Sequence, residues 1–149
     1  MTTRYVVRIK PISIKKANVF TRSFHRHSDD VNVGKFAIAF LIEGEMVGVV
    51  VCGIPIAREL DDGVTLEVLR ACSKDSRVSN SKMLARAKRA GQALGFNRFV
   101  TYTRPHESGA SLRGVGAKFD GMTRGKSWSN RKGRRCRPAA EGAKLRWFL

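Results

Sequence analysis

Two runs rich in β-branched and aromatic residues, Lys35 to Ile42 and Met46 to Ile54, stand on either side of Glu43-Gly44-Glu45. No other feature restricts the fold as much. Two such runs joined through a glycine free to take positive φ have hairpin chemistry, so they are expected to pair antiparallel. Met46 to Ile54 is also the longest uninterrupted apolar stretch and reads as a buried strand. Its nine residues fall far short of the roughly 20 that cross a bilayer, and no membrane association is expected.

Periodicity places the other elements around this hairpin. Tyr5 to Ile9 alternates as a strand, Pro11-Ile12-Ser13 turns, and Ser13 caps a helix to about His27 with Ile14, Ala17, Phe20 and Phe24 on one stripe. After the turn at Asp61-Asp62-Gly63, Val64 to Cys72 returns as a strand. Ser79-Asn80-Ser81 offers N-caps for a helix through Leu94, which Gly95 ends. Phe96 to Thr103 follows as a strand, Glu107 to Val115 as a short helix, and Ala117 to Met122 as a strand, with a last strand expected at Lys144 to Leu149. The order β-α-β-β-β-α-β-α-β excludes a helical bundle, and the lack of an internal repeat excludes a solenoid.

The 149 residues fit one domain, read as residues 1–123 followed by a basic extension, 124–149. Charge is unevenly spread. Residues 1–28 carry seven bases and no acid, residues 29–75 nine acids against four bases, and residues 76–149 eighteen bases against three acids. A polyanionic partner is the expectation, most simply nucleic acid and DNA in particular. Between Arg124 and Arg146 nine Lys/Arg accompany one acid, Glu141, and one stacking residue, Trp128. Arg124, Lys126, Trp128, Arg131, Lys132, Arg134 and Arg135 are the candidate contacts, against a reading of the tail as merely solubilising charge. Cys52, Cys72 and Cys136 make neither a disulfide framework nor a zinc motif. With no apolar leader after Met1-Thr2-Thr3-Arg4-Tyr5, the reducing cytoplasm is the expected compartment.

Two stretches carry a family resemblance. Ala93-Leu94-Gly95-Phe96 through Thr103 resembles the central helix and fifth strand of the GNAT superfamily of N-acetyltransferases. Glu107 to Leu112 followed by Gly116-Ala117-Lys118-Phe119 resembles its last helix and following turn. The resemblance spans about residues 5–123 and implies a mixed α/β fold with a central, mostly antiparallel sheet and flanking helices. His25-Arg26-His27, Asp61 to Val68 and Thr101 to Leu112 resemble small GNAT-like proteins of phages, prophages and plasmids. Gly53-Ile54-Pro55, Glu67-Val68-Leu69-Arg70 and Phe119-Asp120-Gly121 resemble, more distantly, the phage Mom proteins that modify adenines in DNA.

The superfamily implies acetyl-CoA or another acyl-CoA, its pyrophosphate cradled by the loop before the central helix. Here that loop reads Arg77-Val78-Ser79-Asn80-Ser81-Lys82, and Arg77, Ser79, Asn80, Ser81 and Lys82 are the candidate cofactor residues. Lys82 replaces a small residue; it either pairs with a phosphate or blocks the groove, while Asn80 is able to turn left-handed. Glu67 is the candidate general base or substrate anchor, against a strand-face ion pair. Tyr102 and Ser111 are candidate proton donors to a leaving thiolate, against packing and a helix-interior hydroxyl. Glu107 reads as opening its helix, near the positive end of the dipole, against a reading as an acid close to Tyr102 that orients it. Arg70, three residues from Glu67, reaches the same site only if a bulge interrupts the strand. His25 and His27 are candidate substrate or DNA contacts; a metal pair completed by Asp29 or Asp30 and a solvated helix end are the alternatives, and no metal is assigned.

The function expected from sequence is a transferase modifying a base in nucleic acid, most simply in DNA. The alternatives are an acetyl-CoA-dependent N-acetyltransferase acting on a small amine or protein lysine, and a basic nucleic-acid-binding module without catalysis.

Overall fold

A computed structural model describes residues 4–24, 30–123 and 143–149. The hairpin forms as the sequence demands. Strands β2 (Gly34–Ile42) and β3 (Glu45–Gly53) pair antiparallel down to Ile42 opposite Glu45. The connection is two residues long, and both Glu43 (φ 51°) and Gly44 (φ 79°) are left-handed. That is the turn whose twist matches a right-handed ribbon.

Around it stand β1 (Val7–Ile12), β4 (Thr65–Ser73), β5 (Arg98–Thr103), β6 (Lys118–Thr123) and β7 (Lys144–Phe148), in the order β1-β2-β3-β4-β5-β7-β6. Every neighbouring pair is antiparallel except β4 and β5. Helix α1 (Ile14–Phe24) follows β1, α2 (Asn80–Ala93) joins β4 to β5, and α3 (Ala110–Gly114) joins β5 to β6. One core cluster holds Phe40, Val50, Leu66 and Phe99 against Met83, Leu84 and Ala87 of α2. The other holds Ala37, Val49 and Val51 against Ala17 and Phe20 of α1. Since successive strand side chains point to opposite faces, the hairpin's continuous apolar run serves both clusters.

Two boundaries differ from the sequence reading. Strand β1 runs on through Pro11 instead of turning there, tolerated because β1 is an edge strand with β2 as its one neighbour. The first helix is described to Phe24; its expected end at His27 lies outside the described residues. The last helix begins at Ala110, not Glu107. A tight turn across Pro105 precedes it, closed by the Glu107 N–H donating to the Arg104 carbonyl at 3.0 Å. Glu107 therefore does not open a helix. Strand β7 lies between β5 and β6, so the sheet is completed by residues on both sides of position 123.

Candidate active site

The parallel neighbours β4 and β5 stay in register from Thr65 opposite Arg98 to Glu67 opposite Val100, and then part. At the point of separation the Thr101 hydroxyl donates to the Val68 carbonyl at 3.2 Å. On the other side of β4, Cys52 lies opposite Val68 and Val51 opposite Arg70, which leaves Leu69 as a bulge. An extra residue re-aims the side chains that follow it, so Glu67 and Arg70, three apart, both line the cleft that opens between the strands. The cleft has a volume of about 1130 Å³. Tyr102, Glu107, Ser111, Lys144 and the α2 residues Asn80 and Leu84 also line it.

Glu67 is 5% exposed. Its Oε2 accepts the backbone N–H of Ile56 at 2.9 Å. Burial pushes its pKa up; the Ile56 N–H and the Lys144 ammonium pull the other way without reversing the shift. A carboxylate held reluctantly charged is a better proton acceptor than an exposed one. Tyr102 is also pushed up, first by burial and then by the field of Glu67, with Arg146 opposing. Its phenol therefore stays protonated. The cleft thus brings a base and an acid to the same cavity.

The loop leading into α2 is held by its own contacts. Asp75 accepts from the Arg77 backbone N–H at 2.9 Å and from its guanidinium at 2.7 Å, and Arg77 holds its pKa down at about 2. Ser79 caps α2 by accepting the Lys82 N–H at 3.2 Å. Lys82 neither lines nor blocks the cleft: its Nζ donates to the Arg77 carbonyl at 3.1 Å, and it lies with Arg77 over the Tyr5 ring. Asn80 is not left-handed but the first residue of α2. The Ser81 hydroxyl donates to the Ser111 carbonyl at 2.8 Å, tying α2 to α3. By helix geometry the first N–H groups of α2, those of Asn80 and Ser81, have no carbonyl within the helix and remain free to receive an anion.

Of the sequence candidates, the structure gathers Glu67, Arg70, Asn80, Tyr102 and Ser111 at one cleft and turns Arg77 and Lys82 away. Asp30, once considered as a metal ligand, is ion-paired with Arg22. His25, His27, Arg124, Lys126, Trp128, Arg131, Lys132, Arg134 and Arg135 lie outside the described residues. Phe119 is 55% exposed and meets the Trp147 ring edge-on at 5.3 Å. Sequence reasoning missed the Ile56 N–H and Lys144; the cleft-facing position of Glu107 was its second reading of that residue. Pro55, two residues beyond the end of β3 and just before Ile56, was the one available signal for Ile56.

No protein-family profile matches the chain, and no curated protein sequence does. Solved structures match over nearly its whole length. They include the IAA acetyltransferase from Bacillus cereus, 15% identical with a TM-score of 0.66 over 97% of this chain and 99% of that one. A GNAT family acetyltransferase from Elizabethkingia anophelis, solved with acetyl-CoA bound, is 11% identical with a TM-score of 0.67 over 96% and 97%. The ribosomal-protein-S18-alanine N-acetyltransferase from Escherichia coli is 9% identical with a TM-score of 0.66 over 97% and 93%. The chain has the GNAT acetyltransferase fold.

Proposed function

We propose that this protein is an acyl-CoA-dependent N-acyltransferase, with acetyl-CoA as donor and a primary amine as acceptor. One observation carries the reading: a buried carboxylate of raised pKa and a protonated phenol face the same cleft, where two parallel strands part. The neighbours solved with acetyl-CoA or CoA support the choice of donor. The cleft is large enough for an extended thioester arm. The residues fit such a molecule: Asn80 lines the cleft at the α2 N-terminus, where free N–H groups suit a pyrophosphate, and Lys82 leaves the approach open.

When bound, acyl-CoA supplies an activated acyl carbon. Glu67 takes the proton that an attacking ammonium must lose, directly or through one water, while the Ile56 N–H fixes its Oε2 and leaves Oε1 to the substrate. Tyr102 donates a proton to the departing thiolate sulfur. The products are an amide and a free thiol.

This reading favours the amine acceptor over a nucleic-acid base because the proton acceptor is a buried carboxylate. A general base of this kind gains most where the nucleophile arrives as a cation. The test is acyl transfer to a panel of amines, followed as thiol release. Glu67→Gln is expected to lower kcat by about 10²–10⁴-fold while acetyl-CoA still raises Tm. Full activity in Glu67→Gln would remove the base assignment. No change in Tm at millimolar acetyl-CoA would remove the donor.

A further inference from the structure

We propose that the outer face of α2 is a docking surface for the sugar–phosphate backbone of duplex DNA. The helix Asn80–Ala93 contains Lys82, Arg86, Lys88 and Arg89 and no acid. Lys82, Arg86 and Arg89 fall at i, i+4 and i+7, on one face, and all three are exposed. Over seven residues the stripe is about 10 Å long, roughly three base-pair rises of a duplex.

Arg22, Lys74, Arg77, Arg98 and Arg146 each have an acidic partner. Among the described residues Arg86, Lys88 and Arg89 have no ion pair and no ring contact. Nothing nearby in sequence neutralises them: the acids between residues 76 and 123 are Glu107 and Asp120. Glu107 accepts the Arg104 N–H and Asp120 is paired with Arg146. Like charges one helical turn apart repel, and a polyanion relieves that repulsion. Neither Arg86 nor Arg89 lines the large cleft. The helix itself has no aromatic residue, and the Tyr5 ring beside Lys82 is already taken up by the Arg77 and Lys82 cations, which favours a duplex contacted through its phosphates over a single strand. The net charge of +17 gives the whole chain the matching sign.

The test uses the full chain and a fluorescent 20-base-pair DNA duplex, with anisotropy read from 50 to 200 mM salt. Arg86→Gln/Arg89→Gln is compared with Arg8→Gln/Lys10→Gln, which removes the same charge from exposed positions on the edge strand β1. Two lost phosphate contacts lower the slope of log K against log salt by about 1.8 and weaken binding roughly 60-fold at 0.1 M salt. The β1 pair is expected to cost less than about threefold, because those positions lie outside the proposed contact and the general attraction they supply is screened by salt. Equal losses in both variants, or no loss in the α2 pair, overturn the proposal. So does a single strand that binds more tightly than the duplex. The acetyl-CoA shift in Tm should be the same in the α2 pair as in the wild type; its selective loss with DNA binding intact would assign the stripe to the donor instead. A wild-type protein indifferent to acetyl-CoA would defeat the transferase reading and leave the DNA result standing.

Discussion

Gly91 sets how closely α2 lies on the sheet, and Gly91→Ala tests whether the cleft depends on that distance. A Cβ at this position would lie 2.5 Å from a ring carbon of Phe99 and 2.9 Å from a methyl of Leu66. Both side chains are buried, at 1% and 0% exposure, so neither can swing away. Alanine improves helix propensity over glycine by about 1 kcal/mol, whereas forcing a methyl into a filled core costs about 1–3 kcal/mol. The clash lies near the upper end of that range because the obstructing atoms belong to a fixed aromatic ring. A net loss of about 1–2 kcal/mol follows, or a fall in Tm of about 3–6 °C for a chain of this size. Leu66 and Phe99 are partners in the last paired stretch before β4 and β5 part. Pushing α2 off them therefore also moves Asn80 and its free N–H groups away from the cleft. Thermal unfolding with and without acetyl-CoA reads both effects, with the exposed Gln92→Ala as a control expected within about 0.5 kcal/mol of wild type. A Gly91→Ala protein at least as stable as wild type, with an unchanged acetyl-CoA response, would refute the close seating of the helix.

Glu67→Gln should change stability with pH as well as activity. Burial raises the Glu67 pKa in the folded state, so folding favours the protonated form. The wild type then bears the cost of a buried charge above its folded pKa and not below the unfolded value, near 4.3. The variant should gain Tm over the wild type at pH 8 and lose that advantage by pH 4; an advantage that grows in acid would reverse the assigned shift. Tyr102→Phe should lower kcat by about 10²-fold with little change in the amine KM, because the phenol acts on the leaving thiolate. An increase in KM alone would make it a binding residue. Ser81→Ala, which removes the 2.8 Å bond to the Ser111 carbonyl, should cost about 1 kcal/mol in a denaturant titration. Wild-type stability would mean that α2 and α3 are held together by packing alone.

The parts of this fold that are legible in the sequence are those in which cause and effect are close along the chain. The β2–β3 hairpin is announced by two apolar runs and a Glu-Gly turn, and the start of α2 by Ser79, which caps it. Glu107 was misread because an acid ahead of an apolar run resembles a helix start. Pro105, two residues earlier, instead makes a turn that binds the Glu107 carboxylate to the Arg104 N–H. Lys144 and the insertion of β7 between β5 and β6 gave no local signal. They depend on pairing across 144–148 and 98–103, which no periodicity encodes.

Glu67 and Arg70 show how far spacing can be taken. Three positions apart on a regular strand, they face opposite sides, so the sequence alone permits either one residue at the site or a bulge between them. The structure has the bulge, at Leu69. Its position is explained by what lies on either side: Glu67 is the last residue of β4 in register with β5, at Val100. Beyond it β4 loses its parallel neighbour but keeps β3, and an extra residue there bends the strand away from β5. One irregularity thereby opens the cleft and turns Arg70 into it. A deletion of Leu69 should restore regular pairing with β3 and leave Glu67 and Arg70 two apart, still on one face, but it removes the bend that separates β4 from β5 and should narrow the cleft, lowering transfer in a variant that still folds; transfer at the wild-type rate would refute the role given to the bulge.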